Sequence, residues 1–207
     1  MNKNNKNDAF ILASGSPRRR ELLQQLGFSF RVIPSSLEET NQSGMEPRRH
    51  ATHYAREKAK EVAQHHPQHW VLAADTIVVV DEVILGKPVN ATEAAVMLSR
   101  LSGRSHHVIT GVSLVHADHG VEESQAVETE VFMRNLSTAD IEGYIATGEP
   151  MDKAGAYGIQ GIGGCLVQRI EGSYSNVVGL PLCETVDLLR RHKVADPFSK
   201  YQGVNRG

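Results

Sequence analysis

Trp70-Val-Leu-Ala-Ala-Asp75-Thr-Ile-Val-Val-Val80 is apolar and rich in β-branched residues on both sides of a single carboxylate. A run of this kind reads as a buried strand. A carboxylate inside it costs on the order of several kcal/mol unless a cation or hydrogen bonds compensate. Two readings stay open on this stretch alone. Either the strand is continuous and a positive group from elsewhere meets Asp75, or it stops at Ala74 and resumes at Ile77, with Asp75 in a bulge or turn.

Working outward toward the N-terminus, Phe10-Ile-Leu-Ala13 predicts a short strand and Ser14-Gly-Ser16 a turn. Ser16 is placed to cap a helix that begins at Pro17. Leu22, Leu23 and Leu26 supply its buried stripe, and Gly27 ends it. Phe28–Ile33 predicts a second strand and residues 34–46 a polar loop. Ala51, Ala55, Ala59, Val62 and Ala63 recur at helical spacing and predict a long helix from Pro47 to about His66.

Beyond the Asp75 strand, Asp81-Glu82 marks a hairpin turn, and Thr92 is expected to cap a helix reaching Leu101. Val108–Val115 and Glu122–Phe132 predict a long hairpin joined through residues 117–120. Ser137 caps a helix to about Thr147, residues 155–164 are glycine-rich, and Leu166–Ile170 is a strand. Val177–Pro181 leads into a last helix ending near His192. Strands and helices alternate irregularly around the hairpin. The expected fold class is therefore α/β, with a mixed, partly antiparallel sheet flanked by helices.

The 207 residues suffice for one domain or two closely joined lobes. The expected division is an N-terminal segment without fixed structure over 1–8, the folded domain over 9–192, and a loose tail over 193–207. Twenty-two basic and 24 acidic residues give a net charge of −2, so no global attraction to nucleic acid or membrane is expected and any anion binding is local. No apolar run approaches a transmembrane helix, and the polar start does not read as a signal peptide. Cys165 and Cys183 match no zinc spacing and read as free thiols in a reducing cytosol, which predicts a cytoplasmic protein. The histidines form no metal set; His50 and His53 lie one helical turn apart, but no motif completes them.

Several segments carry chemistry. In Ser14-Gly-Ser-Pro-Arg-Arg-Arg20, a turn feeding a helix N-terminus offers backbone N–H groups, and arginines add charge-assisted bonds. The arrangement suits a polyphosphate but is no P-loop, and it is equally compatible with a capped helix carrying solvated arginines. Three consecutive arginines point three ways, so at most two face one ligand. Lys58 lies three residues after Ala55 and four before Val62, which turns it toward the body of the protein; the alternative is a stem that merely snorkels.

Glu38-Glu39 could supply an oxygen ligand for Mg²⁺, or simply be solvated. Lys87 sits in the tight loop Gly86-Lys-Pro88, and Lys153, Tyr157 and Gln160 ride on a glycine-rich stretch able to wrap a ligand. With no Gly-x-Ser-x-Gly elbow present, several cations and buried acids favour water attack on a phosphate, helped by metal.

Taken in order, Ser14-Gly-Ser-Pro-Arg-Arg19, Glu38-Glu39, Glu57-Lys58, Ala74-Asp-Thr76, Gly86-Lys-Pro88, Thr110-Gly111, Asp152-Lys-Ala-Gly-Ala-Tyr-Gly-Ile-Gln-Gly161 and Val178-Gly-Leu-Pro181 resemble the Maf family of nucleoside triphosphate pyrophosphatases, first associated with septum formation. The resemblance covers roughly Phe10 to Arg191. Arg18, Thr76 and Gln160 make it most similar to the branch acting on dTTP and UTP.

The resemblance implies a two-lobed, inosine triphosphatase-like α/β fold with a central cleft, often homodimeric. It implies hydrolysis to the nucleoside monophosphate and pyrophosphate with Mg²⁺ or Mn²⁺. Carried over by position, Asp75 is the proton acceptor and a metal ligand, and Glu39 is the other metal ligand. Ser14, Arg19, Lys58 and Lys87 hold the phosphates; Arg18, Thr76 and Gln160 set base choice. Two alternatives travel with the same resemblance: a nucleotide-binding regulator of cell division, and a pyrophosphatase for 7-methyl-GTP or modified pyrimidine triphosphates.

Overall fold

The computed structural model describes residues 8–37 and 44–201. Strand β1 (Phe10–Leu12) leads into helix α1 (Pro17–Gln25) and strand β2 (Phe30–Val32). Helix α2 (Pro47–His65) precedes the long strand β3 (Val71–Val80), which turns back through β4 (Val83–Leu85). Helix α3 (Ala91–Leu101), the hairpin of β5 (Ser105–His116) and β6 (Val121–Met133), and helix α4 (Thr138–Ala146) follow. Three short 3-10 turns at 149–152, 154–156 and 161–166 lead to β7 (Val167–Glu171), then α5 (Tyr174–Val178) and α6 (Leu182–Arg191).

The seven strands form one mixed sheet in the order β2-β1-β3-β5-β6-β7, with β4 on the edge of β3. β1 runs parallel to β2 and β3; every other pairing is antiparallel. The Asp75 run is thus one uninterrupted strand, with Asp75 opposite Gly111 in the ladder, and the bulge reading is excluded. The Asp81-Glu82 turn forms as expected, both residues at positive φ, which matches the twist of a two-residue hairpin.

Side chains alternate along β3. Val71, Ala73, Ile77 and Val79 face α2 and pack with Ala51, Ala59, Val62 and Ala63. Leu72 and Ala74 face the other side, in a core with Leu22, Leu23, Leu188 and Leu189. Further along that same face, Val78 and Val80 belong to a second core with Leu98, Leu101, Ile141 and Tyr144. The two lobes are these two cores, built on shared strands.

Capping follows local chemistry. Ser16 accepts from the Arg19 amide, and Ser137 and Asp140 form a reciprocal capping box. The cap of α3 is Asn90, whose side chain accepts from the Glu93 amide; Thr92, expected in that role, lies inside the helix. Past α6, Val194 and Ala195 pack on the first core, and Arg190 pairs with Asp196 at 2.8 Å.

Gly111 sets the height of α2 above the sheet. A Cβ there would fall well inside contact distance of the Ala51 carbonyl, and the neighbouring Thr52 nitrogen would lie at 2.6 Å. Backbone atoms cannot swing aside, so Gly111→Ala must lift α2. We expect it to cost about 3 kcal/mol, read as a lowered urea midpoint with unchanged m-value; an unshifted midpoint would refute this packing argument.

Candidate active site

The site lies at a gap in the sheet edge. β1 pairs with β3 only at Val71 and Leu72, with Ala13 adding one bond to the Leu72 carbonyl, and β4 pairs only from Val78. Among the described residues no strand covers the intervening edge of β3. The chain leaves the carboxyl end of β1 there, turns at Ser14–Ser16 and enters α1. This is where an open α/β sheet accommodates ligands. An open cleft of about 410 Å³ results, reached by residues from both faces of β3 and from both lobes.

Asp75 is 3% exposed on its floor. The Lys58 ammonium donates to Asp75 Oδ1 at 2.7 Å, so the cation required by the sequence comes from α2, and the snorkelling alternative is excluded. Low exposure of both side chains, 12% for Lys58 and 4% for Asp75, makes this a desolvated pair. Such pairs hold together because neither charge has solvent to return to.

Arg19 reaches across the neighbouring wall. Its guanidinium donates to the Gly179 carbonyl at 2.8 Å, Ser14 Oγ at 3.1 Å and Thr76 Oγ1 at 3.0 Å. Gly179 sits at φ 122°, and a Cβ there would stand 3.5 Å from Thr76 Oγ1 and 3.7 Å from Arg19 Nε. The carbonyl is fixed by a buried polar chain that sequence reading missed. The Asn176 side-chain amide donates to the Val108 carbonyl and to Thr129 Oγ1, both at 3.0 Å, and the Asn176 backbone carbonyl accepts from Thr110 Oγ1. These bonds pin α5, and with it Gly179, onto β5 and β6. A five-residue helix between β7 and α6 is too short to carry a periodic signal that would have revealed them.

Of the expected site residues, the structure brings Ser14, Arg18, Arg19, Lys58, Asp75, Thr76, Lys87 and Gln160 to the one cleft. Arg20 is exposed, as the geometry of three successive helical arginines requires. Thr76 differs from expectation in what it touches. Its hydroxyl accepts from Arg19 and lies 2.9 Å from Thr110 Oγ1 and 3.4 Å from the Gly179 carbonyl; because Thr110 gives its own proton to the Asn176 carbonyl, the one Thr76 proton is committed to these two neighbours. It therefore orients Arg19. Glu38 and Glu39 lie outside the described residues, and among those described no three His, Cys, Asp or Glu side chains gather as a metal cluster.

The second lobe contributes Asp152 and Lys153 at the mouth. Asp152 Oδ2 accepts from Arg18 at 3.0 Å, and Oδ1 accepts from Lys153 at 2.6 Å. Partial burial disfavours the charged form of Asp152, but the bonds from Lys153 and Arg18 outweigh it and hold the carboxyl below its usual range. Deeper in, Tyr157 is buried and its hydroxyl meets His106 Nε2 at 2.7 Å.

Burial, with a smaller contribution from His107, lowers the His106 pKa to about 4. Between that value and the ordinary 6.5 or so the unfolded chain binds the proton and the folded one does not. His106 therefore contributes fully above about pH 6.5, and its contribution is lost as pH falls toward 4, by roughly 3 kcal/mol in total. Urea titrations at pH 7.5 and 5 should show a smaller acid loss in His106→Leu than in wild type; equal losses would contradict the assignment.

Comparison with known proteins places the chain among relatives along most of its length. A family model described as Maf-like protein matches residues 9–192. A dTTP/UTP pyrophosphatase of Syntrophotalea carbinolica is 52% identical over 184 residues, which is 87% of this chain and 83% of that protein. Those of Myxococcus xanthus and Halalkalibacterium halodurans are 52% and 50% identical over 188 residues, 91% of this chain in both cases and 94% and 98% of theirs.

Proposed function

The chain belongs to the Maf-like protein family, and on that premise we propose that it hydrolyses dTTP and UTP to the nucleoside monophosphate and pyrophosphate. The observation that carries the reading is a buried carboxylate, Asp75, paired with Lys58 on the floor of a cationic cleft, in a chain half identical to proteins named dTTP/UTP pyrophosphatase.

Water adds across the bond between the α- and β-phosphates. One phosphorus takes the hydroxyl, the bridging oxygen leaves with the other phosphate, and Asp75 takes the proton. Arg19, Lys87 and the amides of the Ser14–Ser16 turn offset charge on the phosphates and on the departing pyrophosphate. Lys58 offsets the burial of Asp75 and adds a further positive charge beside the phosphates.

The donor set fits a hard divalent cation such as Mg²⁺ or Mn²⁺. Such ions take one or two carboxylates and fill the remaining positions from substrate phosphates and water, so no three-carboxylate cage is needed. Asp75 would hold it, with Glu39 as second ligand. When bound, the ion supplies Lewis-acid stabilisation of phosphate charge and acidifies water.

We place the protein in the cytoplasm, a reading supported by two exposed free cysteines, and as a homodimer on the family resemblance. No helix among the described residues is long and apolar enough to cross a membrane. Pyrophosphate release with Mg²⁺ across dTTP, UTP, CTP, 7-methyl-GTP and the purine triphosphates tests the function. Turnover confined to dTTP and UTP, and abolished by chelation, is expected. Preference for 7-methyl-GTP would keep the chemistry and overturn the substrate; no turnover of any nucleotide would overturn the enzyme reading.

A further inference from the structure

Selecting thymine and uracil poses a hydrogen-bonding problem that Arg18, Thr76 and Gln160 do not solve. The pairing edge of both bases presents an acceptor, a donor and an acceptor: O4, N3–H and O2. A site that reads it needs donor, acceptor, donor. Arg18 is donor-only, and the one proton of Thr76 is committed to Thr110 and Gly179, so Thr76 has none to give to a base carbonyl. Gln160, at the same cleft, has an amide that can be turned either way and so enforces no pattern.

Arg18, Asp152 and Lys153 stand in a row with the required pattern. The guanidinium Nη1 meets Asp152 Oδ2 at 3.0 Å, and Asp152 Oδ1 meets the Lys153 ammonium at 2.6 Å. Each has capacity beyond these bonds. Asp152 is 62% exposed, and its two oxygens offer about four lone-pair positions. Arg18 has further N–H groups. Lys153 donates to the Glu149 carbonyl at 2.6 Å and keeps a third proton.

The row is also held in place. The Lys153 stem lies across Gly158, where a Cβ would come within 2.6 Å of Cε, so its ammonium has a fixed approach. All three side chains line the cleft that holds Asp75. An acidic group at this mouth would repel the triphosphate, so its place is with the base.

We propose that Asp152 is a specificity-determining residue that accepts the N3–H of thymine or uracil, with Arg18 and Lys153 donating to the carbonyl oxygens on either side. The inference rests on the dTTP/UTP reading above and extends it. Cytosine presents a donor, an acceptor and an acceptor, so its N3 lone pair would face the carboxylate and its amino group a cation. Two of three positions conflict. The arrangement assigns no preference between thymine and uracil, which share the edge.

Two probes test it, both read as kcat/KM for pyrophosphate release. The first is the ratio of dTTP to dCTP in wild type, Asp152→Asn and Asp152→Ala. An asparagine amide can donate to cytosine N3, so the ratio is expected to fall at least tenfold in Asp152→Asn, with an absolute gain on dCTP that a merely structural role would not give. The second is 3-methyl-UTP, which lacks the N3 proton. Wild type should reject it relative to UTP by at least tenfold, and Asp152→Ala should narrow that gap.

Calorimetric binding of dTMP and dCMP to the same variants provides a readout independent of turnover and should follow the same ranking. Unchanged ratios with intact dTTP hydrolysis, or equal use of UTP and 3-methyl-UTP by wild type, would overturn this proposal alone. Absence of dTTP and UTP hydrolysis in folded wild type would overturn the parent reading and this one with it.

Discussion

Replacing Asp75 with asparagine is expected to lower kcat for dTTP and UTP about a thousandfold while leaving KM within a few fold. Asparagine has the same shape and keeps an oxygen able to accept from Lys58, now 2.7 Å away. The cleft wall formed by Arg19, Ser14 and Gly179 is untouched, so phosphate binding persists. What disappears is the proton affinity of the buried carboxylate on the cleft floor and the charge proposed to hold the cation, which saturating Mg²⁺ in the assay offsets. General bases contribute roughly 10²–10⁴ in rate, which brackets the expectation. Single-turnover pyrophosphate release with circular dichroism on the same sample checks it. A folded variant retaining a tenth of wild-type kcat would remove Asp75 from the reaction.

Lys58→Met should be among the most destabilising single changes in the chain, at about 3–5 kcal/mol. Methionine fills similar volume, so packing against α2 and β3 changes little. The cost is electrostatic: Asp75 stays 3% exposed but loses its ammonium. Pairing the change with Asp75→Asn removes the stranded charge, so the double variant should be more stable than Lys58→Met alone. A urea double-mutant cycle measures that recovery. Additive losses would mean that the two residues do not compensate each other in the fold.

Much of this was legible because the relevant signals are periodic. An acid among β-branched residues demanded a cation, and Lys58 on the alanine face of a helix was the residue turned inward. Ser16, Ser137 and the Asp81-Glu82 turn follow from local chemistry that needs no tertiary knowledge. The failures share a different cause. Asn90 and Thr92 are both good caps two residues apart, and only the path of the backbone decides between them. The 3-10 turns over 149–166 follow no apolar period, so the hold of Glu149 on the Ile162 and Gly163 amides was invisible in sequence. Thr76 was placed correctly, but its role depends on three partners distant in the chain. Asp152 was read only as part of a motif, because its meaning lies in Arg18, 134 residues away.

The two cores on the face of the sheet away from α2 are built on the same strands, and β3 and β5 run unbroken beneath both. A cleft between bodies joined by a linker closes when a few torsions swing, but a cleft whose floor is continuous sheet has no such hinge. Its two walls can approach only by twisting seven hydrogen-bonded strands together. Among the described residues, the groups able to move at the rim are side chains, and the exposed pair of Arg18 and Asp152, 3.0 Å apart, stands foremost among them. On the proposal made for Asp152, a base docks by adding bonds to that pair, a step that needs no swing of the lobes.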